Sequence, residues 1–261
     1  MIICEVGLNH NGNEKYAKEY VDAVIKSKTD AIVFHIREES FYHGKNKKKK
    51  LSDGFYRNAR EKVRKEKIKF GVTIADVNKI SFCESIDVDF YKILSPDINN
   101  KELITELLKS TNKKIFVSTG LSDLNEINKF VRFVKNRKKQ FTLIHTQLRP
   151  NLDFVNLKTI PFLKEKYKMP IAFGNHCENL NVIYVSLGFE PSDIFFYVKD
   201  NKTKKHQDDI YAVSLHDLSK FIKNLKKLEK SIGIAKKLKM NLLIDQNKLY
   251  DVPENISNGI K

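Results

Sequence analysis

The chain has few of the residues that mark secreted or membrane proteins. Its 261 residues include no tryptophan and only three cysteines, Cys4, Cys83 and Cys177. Those cysteines show neither a disulfide framework nor metal-ligand spacing, which predicts a reducing compartment and a cytoplasmic protein. No apolar run approaches the roughly 18 to 20 residues of a membrane span. We also predict no signal peptide, because the first apolar segment already has the pattern of a strand.

Acidic side chains are in deficit as well. Lysine and arginine number 48 against 32 aspartates and glutamates, which gives a net charge of +16. The densest basic run spans residues 45–50 and permits an anionic partner. No aromatic residue interrupts this run and no nucleic-acid-binding motif accompanies it. A solvated loop is therefore favoured over a nucleic-acid surface.

Proline and glycine are sparse, at 6 and 10 residues, and no repeat or low-complexity linker divides the chain. The 41% of hydrophobic residues suffice for a sizeable core. The length is typical of a single (β/α)8 barrel. We predict one barrel domain over residues 1–233 and a C-terminal tail over 234–261 that packs on it.

Short apolar runs rich in β-branched residues alternate with longer segments of helical periodicity. Eight strands are predicted, at 2–6, 30–36, 68–73, 90–94, 114–118, 140–145, 170–173 and 193–198. Eight helices are predicted, at 14–27, 55–66, 78–86, 100–110, 123–136, 155–166, 179–188 and 215–231. This strict alternation predicts an α/β fold with a parallel sheet and favours a TIM barrel. A doubly wound open sheet is the alternative, because alternation alone does not establish closure.

The most informative segment is the first strand and the loop after it. An apolar run delivers Glu5 to the end of the strand. The loop that follows carries glycines, carboxamides and an imidazole: Gly7, Asn9, His10, Asn11 and Gly12. Ordinary turns do not need this density of hydrogen-bonding side chains. The segment is therefore a candidate functional site.

Polar side chains also follow nearly all of the remaining predicted strands. In a barrel the carboxyl ends of the strands converge on one face, where active sites form. The candidates at those ends are His35, Arg37, Thr73, Asp76, Lys92, Ser95, Asp97, Ser118, Thr119, His145, Gln147, Arg149, Asn175, His176, Lys199, Asp200, His206 and Asp209. Lys92 lies inside an apolar strand, where a lysine is costly to bury unless it is paired or faces a polar cavity. In a barrel lumen it is well placed to bind a phosphate or carboxylate.

Residues 5–12 resemble the Glu-x-Gly-x-Asn-His-Asn-Gly signature of the sialic acid (N-acetylneuraminate) synthase family, whose members are TIM barrels. The resemblance covers about residues 1–231 and includes Tyr-Lys-Ile-x-Ser at 91–95 and Ser-Thr-Gly at 118–120. It implies phosphoenolpyruvate contacts from four residues, namely Thr73, Lys92, Ser95 and Ser118. It implies catalytic carboxylates at Glu5 and Asp97, further substrate contacts from Asn9, His10 and Asp209, and a divalent-metal ligand at His176.

The chain also departs from the family pattern. We place Phe34 where the family has a strand-2 lysine on phosphoenolpyruvate, and Val198 where it has a second metal histidine. His206 and His35 are the candidate replacements for that second metal ligand. Gln147 stands in for a strand-6 asparagine, and Arg37 and Arg149 are the candidates to replace the lost positive charge. We expect no counterpart of the family's C-terminal antifreeze-like domain.

Two functions from different classes follow from this pattern. The first is a phosphoenolpyruvate-dependent synthase that forms a carbon–carbon bond with an N-acetylated amino sugar or related aldose. It would make a nonulosonic acid in carbohydrate biosynthesis and use Mn or Mg. The second is a non-catalytic barrel that binds a sugar acid or phosphate, or that partners a true synthase. A homodimer is compatible with the resemblance.

Overall fold

The computed structural model describes residues 1–200 and 207–236 of the chain. The eight long strands, β1 to β8 in chain order, are Ile2–Gly7, Ala31–Ile36, Lys69–Ile74, Phe90–Ile93, Lys114–Ser118, Phe141–His145, Ile171–Gly174 and Ile194–Lys199. A two-residue strand, β9 (Val213–Ser214), pairs with the end of β8. The α-helices, α1 to α8, are Glu14–Ser27, Asp53–Lys65, Ile80–Ser85, Lys101–Ser110, Leu124–Phe133, Thr159–Tyr167, Asn181–Ser186 and Leu218–Glu229.

The sheet closes on itself. Each strand from β1 to β7 pairs in parallel with the next one along the chain, and β1 also pairs in parallel with β8, with Ile3 opposite Phe195. The fold is therefore a (β/α)8 TIM barrel, which confirms the predicted fold class and excludes the doubly wound open sheet. The predicted strands agree with the observed ones to within one residue at each end.

The strands are buried on both faces. Alternate side chains point outward and form the large core against the helices, as Phe70 and Val72 of β3 do. The opposite set points into the barrel and forms a separate apolar plug of Ile3, Ala31, Val33, Phe90, Phe116, Ile144, Ala172 and Phe195. Three of these rings pack edge to face, with centroids 5.4 Å apart for Phe90 and Phe116 and 4.9 Å apart for Phe116 and Phe195. The plug fills the lower barrel, so any ligand has to bind above it.

Helix ends follow their local sequence signals. Helix α5 begins at a capping box, in which Asp123 and Glu126 satisfy each other's backbone N–H groups. Its apolar stripe buries Ile127 and Phe130 against the sheet. The predicted helix 155–166 in fact begins at Thr159, because residues 152–154 form a short 3-10 turn first. Such differences lie at helix ends, where side-chain periodicity carries least information.

The C-terminal tail falls largely outside the described residues. Helix α8 ends at Glu229, and the structure describes the chain only as far as Lys236. The prediction of a tail packed over 234–261, and of a domain boundary at 233, therefore stays a prediction. No helix among the described residues is both long and apolar enough to cross a membrane.

Gly71 in β3 gives a direct test of the plug. A Cβ at this position would lie 2.1 Å from Cε2 of Phe90, which is itself buried. We expect Gly71→Ala to lower the free energy of unfolding by about 1–3 kcal/mol, the usual effect of overpacking a dense core. Urea denaturation measures this change.

The matched control is Gly188→Ala, where a Cβ would meet nothing within 4 Å. That change should leave the unfolding free energy unaltered or slightly higher, because alanine restricts the unfolded chain. Equal effects at Gly71 and Gly188 would contradict the described packing of the plug.

Candidate active site

Above the apolar plug, the inward-facing side chains become polar. Glu5 of β1, His35 of β2, Thr73 of β3, Lys92 of β4 and Ser118 of β5 all point toward the barrel axis and are buried. The sheet register places His35 beside Thr73 and Thr73 beside Lys92. We call these five residues the lumen layer. The sequence placed all five at strand ends, and the structure brings them together at the carboxyl end of the barrel.

Glu5 is the centre of the lumen layer. Its carboxylate, only 1% exposed, accepts hydrogen bonds from the Lys92 ammonium and from His35 Nε2, the latter at 2.8 Å. The Tyr197 side chain lies near enough to the same carboxylate for its charge to raise the pKa of the Tyr197 hydroxyl. Lys92 Nζ in turn stands 5.3 Å from the centroid of the Phe195 ring at the top of the plug. A buried carboxylate with this many donors is stable only in its charged form.

The neighbours of Glu5 in the lumen layer determine its protonation state. Burial opposes ionisation of Glu5, but Lys92 and His35 outweigh that effect and hold the pKa of its carboxyl well below the usual range. An ionised carboxylate can only accept hydrogen bonds, so His35 Nε2 carries its proton. In this state Glu5 is a weak base, since Lys92 neutralises it.

Thr73 has an unused hydrogen-bonding group in the lumen layer. Its side chain is fully buried, and Oγ1 has no hydrogen-bond partner in the described structure. Buried hydroxyls normally find a partner, so one without a partner at a site suggests a contact that a ligand completes. Thr142 has a similar orphaned hydroxyl, but it lies opposite Phe116 at the level of the plug.

The structure corrects the reading of β2. Phe34 was predicted at the position of the family's phosphoenolpyruvate lysine, but its ring points outward and packs on Phe55 and Phe70, with ring centroids 5.3 and 5.9 Å away. The residues of β2 that face the lumen are Val33, within the plug, and His35. Neither lumen-facing residue of β2 is a lysine, so the family lysine has no counterpart there. Phe34 does not take its position, because the Phe34 ring points away from the lumen.

The reading of β8 needs the same correction. Val198 was predicted at the position of the second metal histidine, but its side chain belongs to the outer core. The inward-facing neighbour is Tyr197, which lies over the lumen with its ring centroid 6.5 Å from that of His35 and 5.4 Å from that of His176. Burial and the nearby Glu5 carboxylate raise the pKa of Tyr197 well above its usual range, so its hydroxyl is neutral.

The segment after β8 covers the barrel mouth. Tyr211 donates a hydrogen bond of 2.7 Å to Asp208, and its ring packs on His176 with centroids 5.0 Å apart. Asp208 is buried beside Gly7, where a Cβ would lie 3.3 Å from Asp208 Oδ2 and 2.8 Å from the Tyr197 ring. The sequence analysis missed Asp208, Tyr197 and Tyr211. Their places depend on how the chain folds back after β8, and no local pattern signals that.

Asn9 and His10, predicted to bind substrate, are fully buried and hydrogen-bond to the protein itself, although His10 Nε2 has no partner among the described residues. The Asn9 amide donates to the carbonyl of Val198 at 2.9 Å and accepts from the Asp208 N–H at 3.3 Å. His10 Nδ1 accepts from the Gly12 N–H at 2.9 Å, and burial lowers the pKa of His10 to about 3. In the described structure both side chains stabilise the first loop and its contact with β8.

Five further predicted site residues lie on the loops around the mouth. Ser95 is buried and accepts from the Leu121 N–H at 2.5 Å, which ties the loop after β4 to the loop after β5. Asp97 accepts from the Asn100 side chain at 3.3 Å at the start of α4. The other three are Gln147, which is half-buried, Arg149, stacked on Phe154 at 4.7 Å, and Asp209, paired with Lys199 at 2.9 Å. None of the five contacts the Glu5 network in the described structure.

The described residues do not make up a metal site. His176 Nδ1 lies 2.8 Å from Thr146 Oγ1, and burial lowers the pKa of its imidazole to about 4. No group of three His, Cys, Asp or Glu side chains in the described ranges is arranged to hold a metal ion. His206, the predicted second ligand, lies outside the described residues. The metal therefore stays a prediction, and the chemistry below does not depend on it.

A closed parallel barrel with a buried carboxylate–lysine pair at its carboxyl end defines a TIM-barrel protein with a polar site above its apolar plug. The family model described as NeuB matches residues 15–237. The chain belongs to the NeuB family, which confirms the resemblance seen in the sequence.

Similar proteins agree with this assignment. The uncharacterized protein MJ1065 of Methanocaldococcus jannaschii is 27% identical, with 99% of this chain and 80% of the relative covered. The N,N'-diacetyllegionaminic acid synthase of Legionella pneumophila is 24% identical, with 90% and 74% covered. The crystal structure of the N-acetylneuraminic acid synthetase of Leptospira borgpetersenii, in complex with citrate, is 26% identical. It superimposes with a TM-score of 0.84 over 92% of this chain and 87% of that one.

Burial lowers the pKa of three imidazoles, and the two with the larger shifts, His10 and His176, predict an acid-sensitive fold. The pKa of each lies below the usual 6.5 in the folded chain, so the unfolded chain binds more protons below that pH. Stability should therefore fall as the pH drops from 6.5 toward 4, with a slope of about 1.4 kcal/mol per pH unit for each imidazole. Urea denaturation at several pH values measures this slope.

The test substitution is His10→Asn, whose carbonyl oxygen can still accept from the Gly12 N–H. It should reduce the slope by the equivalent of one proton, and a matched His43→Asn change on the surface serves as the control. An unchanged slope in the His10 variant would show that this imidazole is not kept neutral by the fold.

Proposed function

We propose that the chain is a synthase that condenses phosphoenolpyruvate with an N-acetylated amino sugar or a related aldose. The lumen layer is the observation that supports this proposal. Lys92, Thr73 and Ser118 present one cation and two hydroxyls to the same space as the Glu5 carboxylate. A buried ammonium and convergent hydroxyls suit an anion that carries both a phosphate and a carboxylate.

The reaction would form a bond between C3 of phosphoenolpyruvate and the aldehyde carbon of the sugar. Water would add to C2, and the phosphate would leave with the electrons of its C–O bond. In this scheme Lys92, Thr73 and Ser118 hold the phosphoenolpyruvate. Glu5 is the carboxylate nearest to them, and it would orient the attacking water or accept a proton from it.

The sugar would approach from the loops above the lumen layer. Tyr211 and Asp208 cover that entrance in the described structure, and Asp97 and Asp209 lie on its rim. Hydroxyl and carboxylate groups in this arrangement can bind a polyhydroxylated substrate.

A non-catalytic barrel that binds a sugar acid or phosphate, or that partners a true synthase, is the second candidate. The observation that favours it is the loss of charge on two strands. The lumen-facing residue of β2 is Val33 and not a lysine, and the lumen-facing residue of β8 is Tyr197 and not a histidine. An anion would then rely on Lys92, and the chain would retain a binding site without full catalysis.

Thr73→Val tests the proposed donor site. Because the Thr73 hydroxyl has no partner among the described residues, replacing it with a methyl group of the same shape should leave the unfolding free energy unchanged or raise it. If the hydroxyl binds phosphoenolpyruvate, the dissociation constant should rise about tenfold or more, the effect of losing one hydrogen bond to a charged group. Calorimetric titration measures it, with and without manganese.

The matched control is Thr142→Val, which removes the other orphaned barrel hydroxyl, at the level of the plug. This variant should bind phosphoenolpyruvate like the wild type. Absence of binding by the wild-type chain in both buffers would overturn the synthase, and binding without turnover of N-acetylmannosamine or related aldoses would favour the second candidate. Binding that requires manganese would support the predicted metal.

A further inference from the structure

We infer that the Glu5 carboxylate occupies the anion site of the barrel as an internal competitor, and that a ligand anion binds by taking the Lys92 ammonium from it. This inference rests on the proposed function, since it concerns the same site. It adds that the site is closed by its own ion pair until a ligand replaces one partner.

Few cationic side chains are buried in the described part of the chain. Within the described ranges, only two lysine or arginine side chains are buried, Lys92 and Arg60. Arg60 belongs to α2 and contacts Asp87 and Asp89 on the outer side of the barrel. An anion that enters the described part of the lumen therefore meets one buried positive charge, and Glu5 already holds it.

The groups around Lys92 determine how an anion can bind its ammonium. Its ammonium is confined between the Glu5 carboxylate and the faces of two rings, Phe195 at 5.3 Å and Tyr197 at 6.0 Å. Rings attract a cation but cannot replace a negative charge. A phosphate or carboxylate that approaches this ammonium would therefore compete with Glu5 for its positive charge.

Glu5 can give up Lys92 without being left alone. It would keep the 2.8 Å hydrogen bond from His35. Removing one partner of a buried pair is usually costly because the other charge is left unpaired. Here the arriving anion pairs with Lys92, and the hydrogen bond from His35 remains at Glu5, so neither charge is left without a partner.

The exchange also gives the site an order of events. While paired with Lys92, Glu5 is a weak base and the site does no proton transfer. Once a ligand takes the ammonium, the carboxylate loses its strongest stabilising partner and becomes more basic. Glu5 is thereby prepared to act on water or a sugar hydroxyl only after the anionic donor has bound.

Glu5→Gln tests the competition directly. It removes the competing charge but keeps the size and hydrogen-bonding capacity of the side chain. We expect the variant to bind phosphoenolpyruvate and inorganic phosphate about tenfold tighter than the wild type, the lower end of couplings measured between close, desolvated charges. The same variant should lose turnover. Lys92→Met should weaken the binding of both anions. When Glu5→Gln is added to Lys92→Met, it should no longer tighten binding.

A second measurement covers the case in which Glu5→Gln folds poorly. Phosphate should raise the melting temperature of this variant more than that of the wild type, because the anion supplies the missing counter-charge of Lys92. Glu5→Asp, which keeps the charge but draws it back by one methylene, should show an intermediate gain in affinity.

The outcomes separate the two proposals. If Glu5→Gln tightens phosphate but no form of the protein binds phosphoenolpyruvate, the competition stands and the proposed synthase fails. If folded Glu5→Gln and Glu5→Asp bind both anions no more tightly than the wild type, the competition is overturned while the donor site remains. Tightening that persists in the double variant would also overturn it, because the gain would not pass through Lys92.

Discussion

The ion pair between Glu5 and Lys92 is the interaction on which the rest of the site depends. Both side chains are buried above an apolar plug, so each charge needs a partner there. The pair joins β1 to β4 across the barrel and fixes the position of His35 through the same carboxylate. The barrel walls and the plug together create the low-dielectric space in which this pair is strong.

The lumen changes character over a very short distance. At one level it is filled by apolar side chains such as Phe116 and Phe195, and one level higher it is lined by Glu5, Thr73 and Lys92. This arrangement separates the two demands on a TIM barrel, since the lower layer supplies stability and the upper layer supplies chemistry. The NeuB family assignment and the buried pair are consistent with a site for a small anionic substrate.

Much of this architecture could be predicted from the sequence, and the errors have two physical origins. Strand positions follow from local apolar runs, so the barrel and the convergence of Glu5, Thr73 and Lys92 were accessible. The side-chain direction in a strand alternates at every residue, so an offset of one position exchanges the lumen for the outer core. That offset is why Phe34 and Val198 were assigned to the site in place of Val33 and Tyr197. Asp208 and Tyr211 escaped notice because their positions depend on the fold of the chain beyond β8.

The closure of the barrel also has a consequence for biosynthesis. Ile3 of β1 pairs with Phe195 of β8, and the Asn9 side chain donates to the carbonyl of Val198. The second neighbour of the first strand therefore comes from the final third of the chain. At about 5 to 20 residues per second, a ribosome needs roughly 10 to 40 s to reach that strand. During this interval one edge of β1 is an unpaired, apolar strand edge of the kind that invites association between chains. Nascent chains of this protein are therefore expected to depend on chaperone protection until β8 has emerged.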